Sequence, residues 1–463
     1  MRYRDHRLSG EITVFLALVI SVLTGFFIVL IESARLQLIR MNIEALMDTS
    51  LTSCFGEYDR KLFDRYDLLF IDSSYRGGEE AGIDSVRKHL SRYMSVNADY
   101  TKTDCTGEWY REILCSASAG IWELASDRSG EVLKYQASRY IDEYGSHIYT
   151  AGIHTNKAEI DGISRVDLMG EWDEVLARID GYGFPLINPG RIVREMVLDK
   201  DDLLKGAHLS TAGFSDLPSG RGLDEGNGAP DSGSRTGSDE AFIEYLMQKA
   251  GCYTEFYEEQ MLRAELEYII YGKENDKDNM SLVIDRLFAI READNLRCLR
   301  SDDARIKEAE MKAEEVTALC VTDSFSVPDE TLTELVKESI IYAWAYAESA
   351  VDVSTLLNKG KCPVIKASSD LTLGIEDITG FTSRLNRSGG RGIGYKEYIG
   401  VFLSETDDGL RRKRCMDIIE GNFRMFYNDG FRIDGCVDYL KASVGLESGY
   451  GYSHEITRER YYE

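Results

Sequence analysis

Residues 12–31 read ITVFLALVISVLTGFFIVLI, twenty in a row without a charge and with only Thr13, Ser21, Thr24 and Gly25 to dilute the apolar character. At about 1.5 Å per residue, a helix of that length spans roughly the 30 Å hydrocarbon core of a bilayer with every backbone amide paired internally. Such a run leaves no solvent-facing stripe, so it fits poorly as a core helix of a soluble domain. A cleaved secretory signal asks for a shorter apolar region and a small residue at the cut, whereas Glu32-Ser33-Ala34-Arg35 follows here. The segment reads as a single transmembrane anchor, with the lipid bilayer as the partner of residues 12–31.

Arg2, Arg4 and Arg7 precede the span, with His6, and only Asp5 and Glu11 oppose them. The positive-inside rule then puts the N-terminus in the cytoplasm and exports the rest, although Arg35 and Arg40 on the far side reduce the contrast. Residues 1–32 are neutral overall, so the formal charge of -26 lies entirely beyond the membrane. Such an acidic body repels nucleic acid and anionic lipid, and no basic patch offsets it; no nucleic-acid partner is expected. With 43% hydrophobic residues, 27 Tyr and only six Pro, the chain has the means to build a largely helical core.

The anchoring helix does not look finished at Ile31. Leu36, Ile39, Ile43, Leu46, Leu51, Cys54, Phe55, Tyr58 and Leu62 follow at spacings near three and four, and no Gly intervenes before Gly56. One helix of about 45 to 50 residues is the economical reading, half in lipid and half amphipathic; two helices broken near the membrane surface are the alternative. Further on, helices are expected around 83–94, 128–144, 242–271, 280–299, 303–319, 329–353, 395–402 and 407–427, with Pro328-Asp329 as a helix start. Strands are expected within 112–124, and a hairpin joins 431–444 to 450–456 across a Gly-rich turn. The fold class is α+β and predominantly α-helical: an N-terminal transmembrane helix continuing into a long amphipathic helix, then a mostly helical body with a small antiparallel sheet. The expected divisions are a basic head (1–11), the span (12–31), a first lobe (32–209), a flexible Gly/Ser/Asp-rich linker (210–240) and a helical second lobe with the C-terminal hairpin (241–463).

Motifs for chemistry are sparse. The stretch Ser388-Gly-Gly-Arg-Gly-Ile-Gly394 lacks the Gly-Lys-Ser/Thr ending of a P-loop and reads as a helix-joining loop. Lys273-Glu-Asn-Asp-Lys-Asp-Asn279 has the acid density of a calcium loop without its central Gly or closing Glu, and reads as a turn whose Asp278 or Asn279 caps the next helix. Six His never form a metal pair, no G-x-S-x-G elbow occurs, and nothing selects two catalytic carboxylates. Nine Cys include no C-x-x-C; Cys105 and Cys115 are the closest pair for a disulfide, and buried free thiols are the competing reading. No catalytic residue, cofactor or metal is expected, and the chain reads as a non-enzymatic protein.

The N-terminus Gly10-Glu-Ile-Thr-Val-Phe-Leu-Ala-Leu18, followed by Ile31-Glu-Ser-Ala-Arg-Leu36, resembles a single-span family of Gram-positive anaerobes known as domain of unknown function 5702. Phe55-Gly-Glu-Tyr58, Tyr66-Asp-Leu-Leu-Phe70, Glu267-Tyr-Ile-Ile-Tyr-Gly-Lys273 and Ala343-Trp-Ala-Tyr-Ala-Glu-Ser349 are similar to the same family. The resemblance implies association with tight-adherence (Tad) pilus systems, whose TadE- and TadG-like pseudopilins share the plan of basic head, Gly, apolar helix and exported domain. It also implies prepilin-peptidase processing between Gly10 and Glu11. The acid here follows the glycine at once, and Phe15 stands where pilins usually hold Glu. The implied partners are other pilus or cell-surface proteins, with self-association through the first helix. The second reading is an extracellular ligand-binding or sensor body using a cleft beside 210–240, disfavoured by a head and span of only 31 residues. A surface hydrolase is the third.

Overall fold

The computed structural model describes residues 5–78, 81–100, 116–182, 188–196, 198–204, 209–211, 213, 216–230, 235–318, 330–386, 388–447 and 453–462. Its first element, α1 (Asp5–Phe55), is one unbroken helix of 51 residues. The apolar half is bare, and no residue of its most hydrophobic window is buried. Along the other half Ile39, Ile43, Met47, Leu51 and Cys54 are buried at steps of three and four, which puts them on one stripe. The single-helix reading holds because neither Pro nor Gly interrupts residues 26–55 and the buried stripe keeps helical period to the end.

The remaining α-helices and strands among the described residues, in chain order, are α2 (Arg60–Tyr66), β1 (Ile71–Asp72), α3 (Ile83–Tyr100), β2 (Ser116–Leu124), α4 (Asp127–Tyr144), α5 (Thr150–Asp161), α6 (Leu168–Asp180), α7 (Pro189–Glu195), α8 (Lys200–Leu203), α9 (Asp239–Lys249), α10 (Glu265–Tyr271), α11 (Asp276–Arg300), α12 (Asp303–Ala318), α13 (Glu330–Leu357), β3 (Lys361–Cys362), β4 (Ile393–Gly394), α14 (Tyr395–Ser404), α15 (Asp408–Phe426), β5 (Cys436–Glu447) and β6 (Ser453–Tyr461), with 3-10 turns at Ser368–Asp370, Ile375–Arg384 and Ile433–Gly435. The fold is α+β and predominantly helical, with a small antiparallel sheet completed by the C-terminal strands. The central strand β5 pairs with β2 along one edge and with β1 and β6 along the other. Leu440, Ala442 and Val444 of β5, with Ile456 of β6 and Ala119 of β2, join the α1 stripe and Val86 and Leu90 of α3 in one core. The helix that is long and apolar enough to cross a membrane is thus built into the sheet layer rather than tethered to it.

Two further cores lie beyond. One wraps α13, whose residues from Ser339 to Val353 are buried all round, with α6, α7, α11 and α12. Small residues let α7 approach closely: a Cβ on Gly190 would stand 1.9 Å from Ser339 Oγ. The largest core joins Leu62, Val132 and Ile153 to residues from Phe242 to Cys436, so the two expected lobes share one interior. The part of the expected flexible linker described at 216–230 lies against this body. Leu217 is buried, Arg221 pairs with Glu420 (2.6 Å) and Asp434 (2.7 Å), and Asn227 bonds the backbone of β2 at Trp122 and Gly120. Its order comes from polar bonds to buried acids, which its low apolar content did not announce.

The expected single helix 242–271 is two, α9 and α10. Between them the chain turns at Gly251 and is held by buried carboxylates: Glu265 accepts from Gly251 N (2.8 Å) and Glu267 from Tyr253 N (2.9 Å). The cap of α11 is Asn275, which accepts from Asp278 N at 2.8 Å, rather than Asp278 or Asn279. The Gly-rich stretch after Ser388 is a loop as far as Gly392, and its last two residues, expected as loop, form β4 against β3 just before α14. Gly390 and Gly392 have φ near 105°, and a Cβ at either would meet the carbonyl of Lys361 or Cys362 within 2.3 Å. Cys105, Cys115 and Pro328-Asp329 lie outside the described residues. The six described cysteines are free and buried.

Candidate functional site

Among the described residues, apolar or aromatic surface is uncovered at several places, two of which bear on function. The first is the α1 span, where Phe15, Leu18, Ile28 and Ile31 are all more than half exposed. Gly10 and Glu11 sit at its base, within the helix; both are exposed, and a Cβ on Gly10 would meet nothing within 4 Å. From Ile31 to Phe55 the stem rises 24 residues, about 36 Å at about 1.5 Å each. Arg458 of β6 braces it against Glu44 (3.1 Å) and Asp48 (3.3 Å).

The second is a groove of about 480 Å³ at the top of this stem, between α2, α4 and the end of β6. Tyr462 ties it to α1 by donating its hydroxyl to Phe55 O (2.7 Å) and packing its ring 4.9 Å from the Phe55 ring. One wall is a face of α4 carrying Tyr135, Gln136, Arg139, Tyr140, Glu143 and Tyr144, residues spaced one and four apart. The opposite side holds Phe63, Asp67 and Leu69. Asp67 ends α2 in the left-handed region (φ 52°) and pairs with Lys249, whose ammonium lies 5.0 Å from the centre of the Tyr140 ring.

The floor is held rigidly. Gln136 accepts from Leu69 N (2.8 Å) and donates to Leu69 O (2.7 Å) and to Asp438 Oδ1. Asp438 is fully buried, and burial pushes its carboxyl up to about 6 against the opposing pull of Arg235. The Arg235 guanidinium also pairs with Glu123 (2.9 Å) and lies 4.9 Å from the ring centres of both Tyr135 and Tyr461. Beneath it α4 begins with three successive left-handed residues, Arg128 (φ 55°), Ser129 (φ 58°) and Gly130 (φ 83°). Left-handed geometry costs about 1–2 kcal/mol for each non-glycine residue. Arg412 offsets it by donating to the carbonyls of Arg128 (2.9 Å) and Ser129 (3.2 Å).

One group of deep ionisable side chains elsewhere is tied into the packing. Arg291, wholly buried, donates to Asp352 (3.0 Å) and to the carbonyls of Pro363 and Val364, while Lys366 bridges Glu348 and Asp352 at 2.7 Å each. These bonds fasten α11 to α13 and to the chain after β3. A second cavity of about 390 Å³ beside α2 mixes Lys61 and Arg65 with Asp64, Glu258 and Glu259. Among the described residues no group of three or more His, Cys, Asp or Glu is placed to hold a metal ion.

The structure does not bring Gly10 and Glu11 near any of these groups; they stand at the far end of the stem. The groove was missed by sequence reasoning. Its one local signal is the Tyr140 and Tyr144 pair, four apart on a helix whose other face is apolar. Its other walls come from residues 63 and 462, far apart in the chain. A family model described as "Family of unknown function (DUF5702)" matches residues 190–448. No curated protein matches the chain, and no solved structure does.

Proposed function

The chain belongs to the DUF5702 family of unknown function, and we propose that it is a non-enzymatic, single-pass membrane protein that works by making protein contacts at the cell surface, beside a Tad-type pilus. The observation carrying the membrane part is α1, one rod whose first half is bare and long enough to cross a bilayer and whose second half is a wall of the folded body. A rod shared between lipid and core transmits position rigidly, which suits a scaffold or assembly component. The pilus association is supported by the plan of basic head, Gly10 and apolar helix, which resembles TadE- and TadG-like pseudopilins. The basic head supports a cytoplasmic N-terminus and an extracytoplasmic body.

Mass and N-terminal analysis of the protein from its native membrane tests the pilin-like part. A mature chain beginning at Glu11 supports processing and entry into a filament; an intact head makes it a permanent anchor. If removing the gene leaves pilus assembly and adhesion unchanged, the role fails. The groove favours a second reading, an extracellular ligand-binding body, placed between α2 and α4 rather than in a cleft beside 210–240.

A further inference from the structure

We propose that the groove between α2, α4 and the end of β6 is a binding site for a neutral oligosaccharide, seated on the rings of Tyr140 and Tyr144 and hydrogen-bonded by the polar groups between them. The proposal does not depend on the pilus role.

The ligand class follows from what the groove offers. Tyr140 and Tyr144 lie one helical turn apart with ring centres 6.3 Å from each other, tilted by 33°, and Tyr144 is 79% exposed. Lys249 takes one face of the Tyr140 ring, so the exposed Tyr144 ring is the main platform, with Tyr140 beside it, and such a pair of rings suits a ligand with flat apolar faces repeated along its length. Among the described residues, no hydrogen bond reaches the hydroxyls of Tyr135, Tyr140 or Tyr144. The trough therefore also asks for a partner dense in hydroxyls, which separates a sugar chain from a purely apolar ligand.

Charge narrows the class further. Arg139 and Glu143 bond each other across one turn (2.6 Å), and Asp67 is neutralised by Lys249, so the rim carries paired charges and no uncompensated field. Paired guanidinium and carboxylate groups can each grip neighbouring sugar hydroxyls, whereas a polyanionic or polycationic chain gains nothing here. The Gln136 bonds to Leu69 and Asp438 fix the floor before any ligand arrives, which lowers the ordering cost of binding. At about 480 Å³ the volume falls within the range of small-molecule sites.

The test titrates the full chain in lipid nanodiscs with three neutral tetrasaccharides, cellotetraose, maltotetraose and chitotetraose, by calorimetry and saturation-transfer NMR. At least one is expected to bind saturably, with magnetisation transferred from aromatic protons. Tyr144→Ala is expected to weaken it about tenfold, the loss of roughly 60 Å² of apolar contact, while Tyr144→Phe keeps most of the affinity. Tyr257→Ala, in the lining of the second cavity beside α2, leaves it unchanged. Because Tyr144 is exposed, its substitution does not endanger folding. The proposal is overturned if none of the three saturates, if Tyr144→Ala binds as well as the unaltered chain, or if a proline-rich peptide occupies the groove and all three sugars do not.

Discussion

Glu267→Gln isolates one buried acid. Glu267 on α10 is 0% exposed; its Oε1 accepts from the Tyr395 hydroxyl (2.6 Å) and Tyr253 N (2.9 Å), and its Oε2 meets no partner. Burial pushes the carboxyl up from 4.5 to about 7. The sign follows directly. Below the unfolded value both states hold the proton and the acid costs nothing. Between 4.5 and about 7 the unfolded chain ionises while the folded one cannot, so stability falls as pH rises. At about 1.4 kcal/mol per pH unit, the loss between about pH 5 and about pH 7 is roughly 2–3 kcal/mol and then levels off. Glutamine keeps the accepting oxygen and cannot ionise. Chemical denaturation of both proteins in detergent, followed by Trp fluorescence, should show the variant gaining about 2–3 kcal/mol on the parent between about pH 5 and about pH 8. Other acids raised by burial, such as Glu292 (about 7) and Asp438 (about 6), cancel in that difference. A difference that stays flat across this range refutes the assignment of a protonated Glu267.

Gly190→Ala should drive a methyl into Ser339 and cost about 1–3 kcal/mol, read as a lowered denaturation midpoint with an unchanged slope. Arg291→Ala strips Asp352 and the carbonyls of Pro363 and Val364 of a buried donor and should cost about 3–5 kcal/mol, whereas Arg458→Ala on the half-exposed stem brace should cost at most about 1 kcal/mol; thermal melts of the two variants side by side test the contrast. Burial pushes the Cys54, Cys252 and Cys362 thiols up to about 12, so these cysteines should resist a thiol reagent at neutral pH in the folded chain and react once it is denatured.

Where the sequence was legible, one pattern dominated a long window. The α1 rod shows because apolar residues recur at helical spacing with no breaker, and the C-terminal hairpin because alternation surrounds a Gly-rich turn. The break between α9 and α10 did not show, since the intervening Met261 and Leu262 are buried core residues and keep the stretch apolar enough to pass for helix. Residues 216–230 misled in the opposite sense: their composition lacks apolar surface, and what orders them is the buried carboxylates of Glu420 and Asp434, some two hundred positions away. Asn275 caps α11 in place of Asp278 or Asn279, three and four residues further on, because its side chain accepts from Asp278 N. The groove was illegible for a related reason, since a wall of α4 becomes a site only when Phe63 and Tyr462 close it.

The central claim is that α1 serves lipid with one half and the body with the other. Comparing the full chain with a version starting at Glu32 in membrane vesicles washed with alkaline carbonate tests it most directly. The full chain should stay with the vesicles, and the shortened one should emerge soluble with an unchanged unfolding midpoint, because the buried stripe from Ile39 onward is retained. A full chain released by carbonate, or a shortened one that still pellets with the membrane or fails to fold, would contradict the account.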